Sequence, residues 1–515
     1  MSMARVFYRA DYEVALTQTI TIGEVLPEQH LARFLVRQIA SWDLSALYTR
    51  YADVGGPPFA PELLLAILIY GYMTGVFSSR KLETATVESI PFHFLAGGYH
   101  PDHTTIATFR TTMLPQVASL LGQVLVLAME AGLWSMGPVS IDGTKIHADA
   151  SKHSAVSYQR CLDIMVQLLN EIQDLARKAE QGALPADIDV TAEIQRRLVR
   201  LAHLEQARQV IEQRAAVRDA EEQAVYEAKL AARAEREQRT GKKTGGKPPS
   251  PPTPGPRATD QYNFTDPESR IMKNSTDAGF NQHYNAQIAV EQEHSLILGY
   301  TLSNHPNDQA EALPTLHAIP AEVGQPPAAA LDTGYFSEKN IDAFEQEGVT
   351  PYIAIGKDQH HSWWKDLFAE KPEPPPEDAS PTLKMAYQLQ TEIGNTIYRL
   401  RKSTVEPTFG NLKEILGFRQ FSLRGTDKAT GELGLLCLAA NLKRLYVLQA
   451  NAQTKHDTLF GQKLASVVRH ALFLLERWTR QQRSSHVQFI LPIGHGTSCG
   501  SLSTTANICC SSTNC

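Results

Sequence analysis

Three acidic residues stand where an unpaired charge would be costly. Asp142 lies inside the apolar run VSIDGT, Asp332 ends a second such run in AAALDTGY, and Glu406 sits in the helix-like segment KSTVEPTFG. A carboxylate among aliphatic side chains is expensive to bury unless something pairs with it. Hard divalent cations prefer oxygen ligands, so carboxylates converging from separate elements would hold them. Two such cations, about 3.5–4 Å apart, activate an attacking oxygen and stabilise a leaving one in phosphodiester chemistry. Each residue also has a plainer explanation. Asp142 and Asp332 precede the turn-forming pairs Gly143-Thr144 and Thr333-Gly334, where Asp serves local hydrogen bonding. Ser403-Thr404-Val405-Glu406 fits a capping box, and Pro407 behind it favours a helix start.

The elements that must position these residues can be followed along the chain. Residues 28 to 135 read as helical: Pro57-Pro58 and Pro61 lead into LLLAILIYGYMTGVF, and Ser78-Ser79 offer a cap for RKLETATVES. A third helix begins at PDHTTIATFRT, with Asp102 or Thr104 as its cap. Such short helices suit either a helix-turn-helix module or a plain packing domain. Gly137-Pro138 then precede the strand VSIDGTKIHA. Two long helices broken near GALPADID fill residues 154 to 239, and GKKTGGKPPSPPTPGPRA after them predicts a flexible, partly extended linker. Beyond it, RIMKN, HYNAQIAVEQ and SLILGYTLSN read as strands, and Asn307-Asp308 as the start of a helix, with Asp308 as its cap. AAALDTGYFS, SEKNIDAFEQEG and TPYIAIG continue as strand, helix and strand, and a last helix runs from about Thr404 to Ala450. The pattern predicts an α/β fold: an RNase H-like mixed sheet with a helical N-terminal domain and a long helical insertion. The expected domains are 1–135, 136–153 with 261–450 as the catalytic core, 154–260 as the insertion, and 451–515 as a C-terminal helix and disordered tail.

The 515 residues carry a formal charge of −6, which argues weakly against nucleic acid unless positive charge is local. It is local. Between Arg399 and Lys428 stand seven bases (Arg399, Arg401, Lys402, Lys413, Arg419, Arg424, Lys428) against the three acids Glu406, Glu414 and Asp427, a balance of +4. A positive field of this kind is what phosphate binding requires. The six cysteines form no pair of CxxC motifs, so a structural zinc site has little support. The start MSMARVFYRADYE does not read as a signal peptide, and the longest apolar run, Leu63 to Phe77, falls short of the roughly 18–20 residues of a membrane span. A cytoplasmic protein with reduced thiols is expected.

IDGTKIHADAS, ALDTGYFS and YRLRKSTVEPTFGNLKEILGFRQFSLRG resemble, in order, the three signature blocks of insertion-sequence DDE transposases. PPFAPELLLAILIYGYMTGVFSSRKLETA and PDHTTIATFR are similar to the helical domain that accompanies that catalytic core, and the likeness runs from about residue 40 to 450. The resemblance implies that Asp142, Asp332 and Glu406 are a catalytic triad holding two Mg²⁺ (or Mn²⁺) ions. It also implies a Y-R-E-K signature at Tyr398, Arg401, Glu406 and Lys413, although the family's spacing places the basic residue at Lys402. On an ideal helix Lys413 lies within about 20° of Glu406, and Gly410 would leave that face low enough for a DNA backbone. Expected DNA contacts are Lys413, Tyr398, Arg401 or Lys402, Arg419 and Arg424. In the N-terminal helices they are Ser79, Arg80, Lys81, His103, Thr104, Thr105 and Arg110. The implied partners are double-stranded DNA (element ends and target) and at least one further copy of the chain, with no membrane. A nuclease that cuts without joining, or a non-catalytic descendant, would share much of this pattern. His147 and His153 are expected at the surface, and Asp266 with Arg270 either to hold a turn or to meet DNA.

Overall fold

The computed structural model describes residues 19–51, 56–185, 188–274, 279–356, 373–376 and 378–454. The expected tail and four of the six cysteines lie outside the described residues; Cys161 and Cys437 are free and buried.

The N-terminal region is built from α1 (Leu31–Ile39), α2 (Pro61–Thr74), α3 (Ser79–Glu88), α4 (Ile90–Leu95), α5 (His103–Met113) and α6 (Val117–Glu130). Pro61 opens α2 at a position where its missing N–H costs nothing, and the helix is apolar on every side. It is accordingly buried nearly all round, as a core helix should be. Gly75 ends it at φ +80°, where a Cβ would stand 2.8 Å from the Leu416 carbonyl oxygen. This close approach ties the helical region to the segment that follows the Glu406 helix. Asp102 caps α5, accepting from the N–H groups of Thr104 and Thr105.

The sheet strands are β1 (Val139–His147), β4 (Arg270–Lys273), β5 (Phe280–Glu291), β6 (Ile297–Ser303), β7 (Ala328–Leu331) and β8 (Thr350–Ile353). β5 pairs antiparallel with all of β1, and its other edge is shared by β4 and β6. On the far side of β1, β7 and then β8 pair in parallel. Four antiparallel strands, β4 and β6 beside β5 and β5 beside β1, followed by two parallel ones give the expected RNase H-like mixed sheet. Helices α9 (Ala312–His317) and α10 (Glu338–Gln346) belong to its crossovers, and α11 (Pro381–Gln390), α12 (Glu392–Gly410) and α13 (Thr426–Thr454) follow. One continuous apolar core joins the N-terminal helices, the sheet and α13.

Between β1 and β4, two short strands, β2 (Ala155–Ser157) and β3 (Gln261–Asn263), clasp the base of a helical hairpin. Its arms are α7 (Tyr158–Glu180) and α8 (Val190–Thr240), the latter about 76 Å long at 1.5 Å per residue. A separate small core of Val156, Cys161, Leu168, Leu204, Ala207, Ile211 and Tyr262 holds the root together. The segment after α8 is extended, as its prolines dictate, but it is fastened along the helix. Arg233 donates to the Thr244 carbonyl, Arg218 to that of Gly255, and Arg257 pairs with Glu222 at 2.6 Å. Side chains on α8, invisible to composition, turn a nominal linker into a strap.

Two helical stretches, His103–Glu130 and Thr426–Thr454, are long and apolar enough to cross a membrane. Half or more of each apolar window is buried inside the protein, which accounts for the apolarity without lipid. On α13 the fully buried Glu432 accepts from the Tyr72 hydroxyl at 2.9 Å, the Ser422 N–H at 2.9 Å, the Leu423 N–H at 3.1 Å and the Ser422 hydroxyl. One carboxylate thus links α2, the segment after α12, and α13. Glu432→Gln places an amide against those donors and is expected to cost about 3 kcal/mol, read as a lower urea midpoint.

Candidate active site

Alternation along β1 turns Ser140, Asp142 and Thr144 to one face, and α12 with its continuation lies over that face. The Ser140 and Thr404 hydroxyls meet at 2.9 Å, the Arg401 Nη1 donates to Asp142 Oδ2 at 3.0 Å, and the Lys413 Nζ donates to Thr144 Oγ1. β7 runs parallel beside the start of β1 and stops at Leu331. Asp332 therefore lies just off the strand end, next to the stretch of β1 that continues through Asp142. There it accepts from the Gly334 N–H at 2.8 Å and caps the short turn Thr333–Tyr335. The two aspartates share the crevice at the carboxyl end of parallel strands, where α/β sheets usually bind ligands.

A third carboxylate lies near enough to act on Asp142, from the Gly143 side of β1. Asp308 caps no helix, because α9 begins only at Ala312. Its Oδ1 instead accepts from the buried amides of Asn285 at 2.6 Å and Gln287 at 2.8 Å. A Cβ on Gly143 would stand 2.9 Å from Asp308 Oδ1, and one on Gly334 would stand 3.0 Å from Asp332 Oδ1 and 3.8 Å from Asp308 Oδ2. Both glycines leave the room these carboxylates occupy. The signal that could have located Asp308 was in β5: Asn285 and Gln287, two apart on one face of an apolar strand, needed a buried acceptor.

The electrostatics are those of a site short of positive charge. Burial pushes the Asp142 carboxyl up to about 6. Arg401 and the Gly143 N–H pull it down, and Asp332 and Asp308 push it further up. The oxygens of a negative, hard-donor cluster with one arginine fit a divalent cation. Among the described residues, only Glu291, Glu293 and His294 already bring three ligand atoms within 4.8 Å of one another. Those atoms serve a turn, since the Glu291 oxygens accept from the N–H groups of Glu293 and His294. The aspartates stand further apart, as unshielded like charges should.

Glu406 is not a helix cap. α12 starts at Glu392 with Thr391 as its cap, so Ser403 is mid-helix and donates to the Leu400 carbonyl. Glu406 sits beside the buried Val405 and is itself exposed, whereas Asp142 feels Arg401, Asp332 and Asp308 most strongly. A π-turn, Asn411–Ile415, follows α12 and resets the register, and the Lys413 ammonium is drawn in against Thr144 and the Lys145 carbonyl. Gly410 does leave open space, with nothing within 4 Å of a Cβ there.

The Y-R spacing finds its explanation in the burial of Arg401, which is 7% exposed, under the Tyr398 ring with its guanidinium 5.8 Å from the centroid. Lys402 is exposed, one turn before Glu406. Arg419 pairs with Glu414 and Arg424 with Asp149, and Arg399, Lys402 and Lys428 are exposed.

In the N-terminal helices Arg80, Lys81 and Thr104 are exposed and Ser79 is half-buried. His103 meets Glu83 at 2.8 Å, and Thr105 Oγ1 donates to Asp102 at 2.6 Å. Arg110 is buried and donates to the Phe77 carbonyl at 3.1 Å, which turns it away from any surface contact. His147 stacks on His283 across β1 and β5, and His153 is exposed. Arg270 donates to the carbonyls of Pro267, Glu268 and Ser269, so it holds the turn.

With this geometry in hand, two family models match the chain. The model described as Transposase domain (DUF772) covers residues 21–112, and the one described as Transposase DDE domain covers residues 253–442. The second includes Asp332 and Glu406, while Asp142 lies between the two matches. No curated protein and no solved structure matches the chain. The two transposase domains in this order, on an RNase H-like sheet, place the chain in the insertion-sequence DDE transposases, enzymes of metal-dependent DNA cleavage and transesterification.

Proposed function

We propose that this chain binds the inverted ends of its own element, nicks them and joins the freed ends to target DNA, using Asp142, Asp332 and Glu406. The observation that carries the reading is the placement of Asp142 and Asp332 side by side at the end of β7, within a chain matched by two transposase domains. Asp142, Asp332 and Glu406 would hold two Mg²⁺ or Mn²⁺ ions, which when bound activate the attacking oxygen and stabilise the leaving one. In the first step the oxygen of water bonds to phosphorus, the P–O3′ bond breaks, and the departing oxygen takes a proton to become a 3′ hydroxyl. In the second, that hydroxyl bonds to a target phosphorus in line and displaces the target's own 3′ oxygen. Arg401 keeps Asp142 oriented and ionised through its 3.0 Å contact. Lys413 fixes the strand two residues on through Thr144. Arg399, Lys402 and Lys428 offer exposed charge for phosphates. Arg80, Lys81 and Thr104 are the candidates for end recognition, whereas Arg110 serves the fold. Two ends must meet, so the active species is at least a dimer acting in the cytoplasm.

The test is a reaction of purified protein with labelled duplexes from the flanks of its reading frame and Mg²⁺. Cleaved ends joined to target DNA are expected. Cleavage without joining would make the protein an RNase H-like nuclease instead, and sink this reading.

A further inference from the structure

We infer that Asp308 is a fourth carboxylate of the active site, offering its Oδ2 to the same divalent-cation site as Asp142 and Asp332. The inference rests on the proposed site and adds a residue that the three signature blocks do not contain.

The Asp308 side chain is held from one side. Asn285 and Gln287 both donate to Oδ1, and the Gln287 carbonyl oxygen is in turn fixed by the Tyr335 hydroxyl. One carboxylate oxygen is thus saturated from behind by buried donors, and Oδ2 is left on the side facing Asp332. Metal-ligating carboxylates are characteristically oriented this way by outer partners. Burying two amides in an apolar strand is costly unless they serve a fixed acceptor, and Asp308 is the acceptor they serve.

A purely structural role explains the residue less well. Asp308 caps no helix with its side chain, and no lysine or arginine pairs with it among the described residues. A carboxylate held beside two others, with Arg401 already engaged by Asp142, raises the electrostatic cost of the folded chain. A divalent cation would offset that cost and supply the missing ligand partner for Oδ2. Gly143 leaves the room that the Gln287 amide and Asp308 Oδ1 occupy, and Gly334 lies between Asp332 Oδ1 and Asp308 Oδ2.

Mn²⁺ binding to the full-length chain, followed by loss of the free-ion paramagnetic resonance signal, tests this without reference to activity. Asp308→Asn is expected to bind Mn²⁺ at least about tenfold more weakly, with a melting temperature no lower than wild type before metal is added. Asp308→Cys is expected to shift preference from Mn²⁺ toward Cd²⁺ by about tenfold, because thiolate favours the softer ion. A residue that only positions others would not produce that shift. Mn²⁺ affinity within twofold of wild type in Asp308→Asn, with binding lost in Asp142→Asn, overturns the role of Asp308 and leaves the triad standing. Unchanged binding in both variants overturns the triad as well. Should Asp308→Asn fail to fold, an unaltered metal preference in Asp308→Cys overturns the inference by itself.

Discussion

Asp142→Asn is expected to abolish DNA cleavage and, at neutral pH without added metal, to make the protein more stable. The first effect follows from losing a cation ligand, worth roughly 4 kcal/mol or about 10³-fold in rate. The second follows from the titration of the same group. Burial raises the Asp142 carboxyl from its ordinary value near 4 to about 6 in the folded chain. Between those values the folded state holds a proton that the unfolded state has lost, so stability falls as pH rises through this window. Above about pH 6 the full penalty is present, on the order of 3 kcal/mol, and asparagine removes it. Thermal melts should therefore show the variant a few degrees above wild type at pH 7.5 and level with it at pH 4. Added Mg²⁺ should raise the wild-type midpoint by mass action and leave the variant where it is. Equal midpoints at pH 7.5 would mean that Asp142 carries no such burden.

Arg401→Met should have the opposite effect on stability. Arg401 is the cation that touches Asp142, at 3.0 Å, and it is almost wholly buried. Removing it leaves a buried carboxylate unpaired, a change that typically costs about 3–5 kcal/mol. The loss should be largest above pH 7 and small near pH 5, where a protonated Asp142 needs no partner. Cleavage should suffer in parallel, with the acid limb of its pH profile moved up by about one unit or more. Arg401→Lys, which keeps the charge, should restore much of the profile. A variant with the wild-type profile would show that Arg401 packs against Tyr398 and does little for Asp142.

These two residues also mark how far the sequence could be read. Asp142 and Asp332 stand out in the sequence because one interrupts and the other ends an apolar strand, and those strands follow from alternation and turn residues. Glu406 was obscured by a local pattern: Ser403 to Pro407 imitates a helix start, while the helix had begun at Glu392. Lys413 was placed by ideal helical geometry, which the π-turn at Asn411–Ile415 breaks. Arg110 looked like a surface base in a polar helix, yet its guanidinium is drawn inward to the Phe77 carbonyl. The neighbours of Asp308 in sequence suggest a helix cap. Its real partners, Asn285 and Gln287, are more than twenty residues away on β5. Periodicity reports which face is buried. Which distant polar groups meet there depends on tertiary approach, and that was out of its reach.

The central claim is that Asp142, Asp332 and Glu406 act as one set, and Glu406 is the member the fold positions least tightly. Single-turnover cleavage of element-end DNA by Asp332→Asn and Glu406→Gln, with DNA binding measured alongside, tests it most directly. Each variant is predicted to bind DNA like wild type and to cleave it at least about 10³-fold more slowly. Cleavage by either variant within about tenfold of the wild-type rate would contradict the assignment.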